Sequence, residues 1–328
     1  MDLVTVTDNG LYCPPGDFYI DPWRPAARAV LTHAHGDHAR SGSAEYIAAS
    51  PGVGLLQHRL GPEARICGRA YGEPFWLGEV RVSLHPAGHV LGSAQIRIES
   101  DAAVWVVTGD YKRASDPTCT PFEPVAADVL ISEATFALPC YRWPETAAVV
   151  ADIYAWWMRN REANRASALF CYALGKAQRV LAELTRFTHE TIYLHGALAP
   201  LVEEYRRAGV HMPPTALVAR EARANYAGAL IIAPPSAAGT PWMRRFGDAA
   251  TGFCSGWMRI RGARRRRGYD KGFVLSDHAD WPALLRTVEE SGARRVLLTH
   301  GYTHALERYL RERGVDAAAL STAYGDEE

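Results

Sequence analysis

At 328 residues the chain exceeds what one compact core usually needs, so two domains, or one domain with a large insertion, are expected. Nearly half of it is hydrophobic, 48%, enough to bury a core and to confine expected disorder to the acidic tail from Gly325 to Glu328. Its 36 Lys and Arg balance 36 Asp and Glu, so the molecule as a whole exerts no pull on a polyanion and any such site must be local.

No apolar run approaches the ~20 residues that span a bilayer. The opening "MDLVTVTDNG" lacks the basic and apolar parts of a signal peptide, so a soluble cytoplasmic protein without a membrane partner is expected. Six cysteines, Cys13, Cys67, Cys119, Cys140, Cys171 and Cys254, are scattered without a CxxC pair, which fits reduced thiols. Lysine occurs only at Lys112, Lys176 and Lys271. The surplus of arginine is read as genome composition and not as a phosphate signature.

Up to about residue 135 the chain reads as strands and turns: "LVTVT", "RAVLT", "VRVSLH", "AQIRIES", "AVWVVTGD" and "DVLISEA" are short, β-branched and bounded by Gly, Pro, Asp or Ser. The texture then changes. Apolar spacing predicts helices from Glu145 to Arg161 and from Gly175 to Phe187, with strand-like "SALFCYAL", "TIYLHG" and "GALIIAPP" among them, as in a small α/β unit. After "RGARRRRGYDKG" come "GFVLSDHADW", a helix at "PALLRTVEESG", "RRVLLTHG" and a last helix near "HALERYLRERG". This return of the opening texture assigns residues 1–144 and 272–328 to one discontinuous domain and 145–271 to an inserted one.

Six polar residues share one setting, the end of an apolar strand-like run. "AVLT" leads into His33, "VSLHPAG" into His89, "WVVTG" into Asp110, "VLIS" into Glu133, "FVLSD" into His278 and "VLLT" into His300. Strand ends along one sheet edge can converge, and loops there carry chemistry on a rigid scaffold. Within "HAHGDH", His33 and His35 are two apart in an extended segment and point the same way, while Asp37 and His38 lie where the chain turns. Each pair can hold one ion, and imidazole with carboxylate suits zinc or manganese. The bland alternative, an aspartate capping a helix among solvated histidines, does not account for three histidines at this spacing.

These residues resemble the metallo-β-lactamase superfamily, in which a His-x-His-x-Asp-His loop, a later histidine and a later aspartate make a two-metal site on an αβ/βα sandwich. Asp21 in "YIDPW" matches a supporting aspartate, and "PAGHVLGSA" and "TGDY" match around His89 and Asp110. "SEATF" with Glu133, "CYALGKAQRVL", "SDHAD" with His278 and "LTHG" with His300 resemble the motifs of the β-CASP nucleases, a branch that includes RNase J, the pre-mRNA 3′-end endonuclease and the DNA crosslink-repair nucleases. Within that branch, the length, the compact insertion and the run from "SGWMRIRGARRRR" to "GFVLSDHADW" look most like the bacterial ligase-associated DNA exonucleases, which accompany an ATP-dependent DNA ligase and a helicase in repair gene clusters.

The resemblance implies a metallo-β-lactamase domain with an inserted α/β β-CASP domain, and two divalent ions. It assigns His33, His35 and His89 to one ion, Asp37, His38 and His300 to the other, and Asp110 to both. Two dications against two ligand carboxylates leave surplus positive charge, which suits a phosphodiester. His278 can then protonate or stabilise the departing alkoxide, with Glu133 orienting it or keeping it protonated.

A polymer-processing enzyme benefits from a second wall across the metal cleft, which the insertion would supply. In "LGKAQ", Lys176 stands at a helix start where a phosphate could bind, though an ordinary helix entry reads equally well. Arg259, Arg261, Arg264, Arg265, Arg266 and Arg267 crowd into "RIRGARRRRG", and a bound polyanion would relieve their repulsion. A solvated charge run is the alternative. The function expected is a DNA exonuclease acting on single-stranded ends in repair. RNA stays open as substrate, because no residue identifies a contact to the 2′-hydroxyl. A small-ester or thioester hydrolase and a noncatalytic nucleic-acid-binding module are the rivals from other classes. Cleavage polarity, exonuclease or endonuclease mode, zinc or manganese, and oligomeric state are left open by the residues.

Overall fold

The computed structural model describes residues 2–219, 225–260 and 268–321. It divides into two compact units, Met1–Arg142 with His278–Glu328, and Trp143–Asp277.

In the first unit, β1 (Thr5–Thr7), β2 (Gly10–Cys13), β3 (Phe18–Ile20), β4 (Arg28–Val30) and β5 (Glu45–Ala49) lead to helix α1 (Val53–Leu60) and β6 (Ile66–Arg69). These six strands form one sheet in sequence order, antiparallel from β1 to β3 and parallel from β3 to β6. Helix α1 is absent from the sequence expectation. Its eight residues bury Leu55 and Leu56, too short a segment for a helical period to stand out. Next come β7 (Phe75–Leu77), β8 (Val80–Pro86), β9 (Ala94–Glu99), β10 (Val104–Val107) and β11 (Val129–Ala134).

The second unit contains α2 (Thr146–Glu162), β12 (Ser167–Phe170), α3 (Lys176–Leu184), β13 (Ile192–Leu194), α4 (Ala199–Arg207), β14 (Thr215–Leu217), β15 (Leu230–Ala233), β16 (Ala250–Cys254) and β17 (Lys271–Phe273). Its six strands, in the order β14-β13-β15-β12-β16-β17, pair in parallel throughout. Val150, Ile153 and Trp157 of α2 and Val180, Leu181 and Leu184 of α3 pack on Leu169 and Ile232 of the sheet. The boundary differs from expectation. Strand texture assigns "GFVLS" to the first domain, but Phe273 pairs with Cys254 and, with Leu275, fills the second unit's core beside Trp156. Apolar contact, not strand texture, decides where those residues belong.

The chain then rejoins the first unit with α5 (Trp281–Ser291), β18 (Arg295–Gly301), α6 (Thr303–Arg311) and β19 (Asp316–Ala319). Asp280 caps α5 by accepting a hydrogen bond from the Ala283 N–H at 3.1 Å. The second sheet runs β19-β18-β11-β10-β9-β8-β7. Alternation along its strands explains both of its faces. Val107, Ile131 and Leu297 meet Val30 and Ile47 of the first sheet in one core, while Val106, Leu130 and Val296 meet Leu284, Val288, Leu306 and Leu310 of α5 and α6. Two sheets face to face with helices packed outside make the expected α/β sandwich. Among the described residues, no helix is long and apolar enough to cross a membrane.

Candidate metal centre

The site assembles at the ends of the first unit's strands. After β4 the chain leaves the sheet at Leu31, and Asp21 holds the segment from Thr32 to His38 in place. One carboxylate oxygen of Asp21 accepts the Thr32 N–H at 2.8 Å. Its other oxygen accepts the Thr32 hydroxyl at 2.5 Å and lies 2.7 Å from His38 Nδ1. A carboxylate on Nδ1 fixes the ring so that Nε2 faces inward. Beyond β8, the Ser93 hydroxyl accepts the His89 N–H at 3.0 Å and holds the turn that carries this histidine. Gly109, with φ of 55°, comes so close to Thr32 that a β-carbon there would lie 2.6 Å from the Thr32 Cβ, so only glycine lets Asp110 enter at this angle.

His300 owes its position to an irregularity. Along β11 and β18, Glu133 pairs with Thr299 but Ala134 pairs with Gly301, so His300 is the extra residue of a bulge, with φ of 31°. Such a bulge re-aims a side chain.

His35 Nδ1 lies 3.0 Å from His33 Nε2 and 3.0 Å from His89 Nε2. Asp110 Oδ2 stands 3.5 and 3.6 Å from those two Nε2 atoms. The other oxygen of the same carboxylate, Oδ1, is 2.9 Å from His300 Nε2 and 3.6 Å from His38 Nε2. His33, His35, His89 and Asp110 thus form one donor group, and His38, Asp110 and His300 an adjoining one. Asp37 stands on the open side, 58% exposed, with its carboxylate 3.6 Å from His38 Nε2.

This donor set fits divalent ions. Zinc bonds of ~2.0–2.1 Å in a tetrahedron separate donors by about 3.3–3.4 Å, close to the spacings of both groups. Three ring nitrogens facing one another cannot satisfy themselves by hydrogen bonding alone.

A third group adjoins these two. His278 Nδ1 lies 2.9 Å from Glu133 Oε2 and 4.0 Å from Asp110 Oδ2, and the other Glu133 oxygen accepts the Tyr111 N–H at 2.7 Å. The Ala279 N–H donates to the Tyr111 carbonyl at 2.6 Å, which pins the returning chain beside Asp110.

The electrostatics of the site come from burial and charge together. Burial depresses the His33 pKa well below its ordinary value, and His38 adds to this. Burial would also lower His38, but the carboxylates of Asp110 and Asp21 outweigh it and push His38 up to about 10. Burial opposes ionisation of Asp110, yet His38, His278 and His300 hold its carboxyl well below the usual range.

Other expected residues lie elsewhere. Lys176 is buried, with Nζ 3.2 Å from Asp277 Oδ2 and 4.5 Å from the centre of the Tyr172 ring. This corrects the phosphate-binding expectation, because an ammonium so enclosed and neutralised is not presented to a ligand. Arg259 is exposed, and Arg261, Arg264, Arg265, Arg266 and Arg267 lie outside the described residues. Sequence reasoning missed Thr32, Ser93 and Tyr111, whose backbone or hydroxyl groups set the angles of the histidines and carboxylates. Their only signal is adjacency to those residues.

No family model matches the chain. It is 34% identical over 319 residues to a probable DNA ligase of Opitutus terrae, across 95% of this chain and 30% of that protein. The endoribonuclease ysh1 of Emericella nidulans matches at 34% over 117 residues, 34% of this chain and 13% of that one. RNase aCSPSF2 of Saccharolobus solfataricus matches at 30% over 117 residues, 35% of this chain and 23% of that one. The chain thus spans at most about a third of the length of these relatives. A crystal structure of a protein of unknown function from Enterococcus faecalis superimposes with a TM-score of 0.61 at 13% identity, over 91% of this chain and 80% of that one, a likeness of fold alone. The fold is a metallo-β-lactamase-type α/β sandwich. The nuclease relatives support the β-CASP branch of that superfamily.

Proposed function

We propose that the protein is a two-metal phosphodiesterase that degrades DNA from single-stranded ends during repair. The observation that carries this is Asp110, one buried carboxylate whose two oxygens face two adjoining groups of imidazoles. His33, His35 and His89 would hold one divalent ion, zinc or manganese, and His38, His300 and Asp37 the other. When bound, such a pair supplies an activated water and neutralises charge on the phosphoryl oxygens.

The remaining work falls to the protein's own side chains. Asp21 and Thr32 keep the His38 Nε2 lone pair directed inward. Asp110 maintains the separation between the two imidazole groups. His278 hands a proton to the departing sugar oxygen, and Glu133 stabilises its imidazolium form. The strand is guided by Arg259, Arg261 and Arg264 to Arg267, a proposal resting on the sequence run.

The match to a protein named a DNA ligase, across nearly this whole chain, supports DNA as substrate and a DNA ligase as functional partner. A helicase partner rests on the family resemblance, and a cytoplasmic setting on six scattered cysteines without a CxxC pair. The endoribonuclease and RNase relatives favour RNA as the second reading, over about a third of the chain. End-labelled DNA and RNA, single and double stranded, incubated with zinc or manganese, test both. Shortening of single-stranded DNA from one end, abolished by a chelator, is the expected result. Turnover of a thioester or chromogenic diester with no cleavage of either nucleic acid would refute it.

A further inference from the structure

We propose that Arg59 binds a backbone phosphate of the nucleic-acid strand at the mouth of the metal centre, an assignment that rests on the nuclease reading. Arg59 lies in the last turn of α1 and is exposed. Its guanidinium packs against Gly36, the residue between His35 and Asp37. A β-carbon on Gly36 would fall 1.6 Å from Arg59 Nη2 and 2.5 Å from its Cζ.

Gly36 is not among the glycines with left-handed backbone, so its conformation does not demand glycine. What the missing β-carbon provides is room for the guanidinium. An arginine therefore lies directly on the loop that supplies His33, His35, Asp37 and His38.

Among the described residues Arg59 also has no carboxylate partner. It makes no ion pair or hydrogen bond with any of them, whereas Arg81, Arg113 and Arg294 of the same unit pair with Glu99, Glu290 and Asp128. This exposed planar fork of five donors borders a centre whose donor set fits two dications, and an anion lying between them would be attracted by both. A phosphodiester is such an anion, because its non-bridging oxygens accept from the guanidinium while its charge offsets both neighbours. The strand is thereby gripped next to the linkage to be cut.

Metal-loaded protein on single-stranded DNA with phosphorothioate linkages, which slow hydrolysis, allows binding to be read on the intact centre. Fluorescently labelled single-stranded DNA is titrated with wild type, Arg59→Ala and Arg59→Lys across roughly 50 to 200 mM salt. Metal content and Tm of the loaded proteins are measured in parallel. Arg59→Ala is expected to weaken binding about tenfold and to reduce the log–log salt slope by about 0.7 to 1. Arg59→Lys should restore the slope but only part of the affinity, and all three should carry the same metal. If wild type cuts DNA and Arg59→Ala shares its slope and affinity, the Arg59 assignment is overturned alone. Loss of metal from Arg59→Ala also overturns it, making Arg59 a support for the loop. A wild type that neither binds nor cuts any nucleic acid overturns the nuclease reading and this assignment with it.

Discussion

Replacing His278 with alanine separates proton transfer from metal binding. Its Nδ1 lies 2.9 Å from Glu133 Oε2 and 4.0 Å from Asp110 Oδ2, and the proposed proton transfer is assigned to Nε2. A positioned acid is worth about 10² to 10⁴ in rate, or about 2.7 to 5.4 kcal/mol of barrier. The ring is 20% exposed and contributes little to the apolar core, so the fold should survive its removal. Single-turnover cleavage of end-labelled DNA, with metal content by mass spectrometry, is expected to show that full loss in rate with both metal equivalents retained. Glu133→Gln, which keeps a hydrogen-bonding partner but removes the charge, should lose about tenfold. A His278→Ala rate within tenfold of wild type would refute the role. Departure of one metal equivalent would instead make His278 a ligand, as its grouping with Asp110 and Glu133 permits.

Three further outcomes are expected. Asp21→Ala removes the carboxylate that orients His38 and should lower metal affinity about 10- to 100-fold in competition with a chromophoric chelator. In metal-free protein the raised His38 pKa, about 10 against an ordinary 6.5, means that its proton favours the folded state. That contribution is complete below about pH 6.5 and is lost as pH rises through about 10, so the Tm of chelated protein should fall over this window. His33, depressed by burial, acts oppositely and should cost stability below about pH 6.5. A Tm that rises steadily from pH 7 to 10 would contradict the balance of charges described. Asp277→Ala leaves buried Lys176 without its carboxylate and should destabilise the protein by about 3 to 5 kcal/mol in urea unfolding.

Much of the arrangement is legible because strand ends are legible. A run of β-branched residues closing on His, Asp or Glu marks a side chain carried to a sheet edge, and six such runs lead to residues that the structure brings together. His278 and Glu133 lie 145 positions apart in sequence; the repeated texture puts both at strand ends, and the family resemblance is what pairs them. What cannot be read is finer than texture. The bulge that turns His300 depends on one unpaired residue between two strands distant in sequence. Lys176 looks like a ligand-binding lysine in "LGKAQ" until its burial against Asp277 is seen, and burial is a property of the packed fold. The edge strand Lys271–Phe273 joins the other unit because Phe273 finds apolar neighbours there, a competition between cores that no local pattern reports.

The second sheet of the first unit has a consequence for how the protein is made. Strand β18, which carries His300, lies between β11 and β19. On the ribosome β11 emerges before the whole second unit, and its outer edge has no neighbour until Arg295–Gly301 is synthesised. For that interval the nascent chain presents Leu130 and Ile131 on an open, apolar strand, the kind of edge that recruits other chains. A partly translated molecule therefore lacks both the partner of β11 and the bulge that carries His300, and its donor groups stay incomplete until Arg295–Gly301 is made.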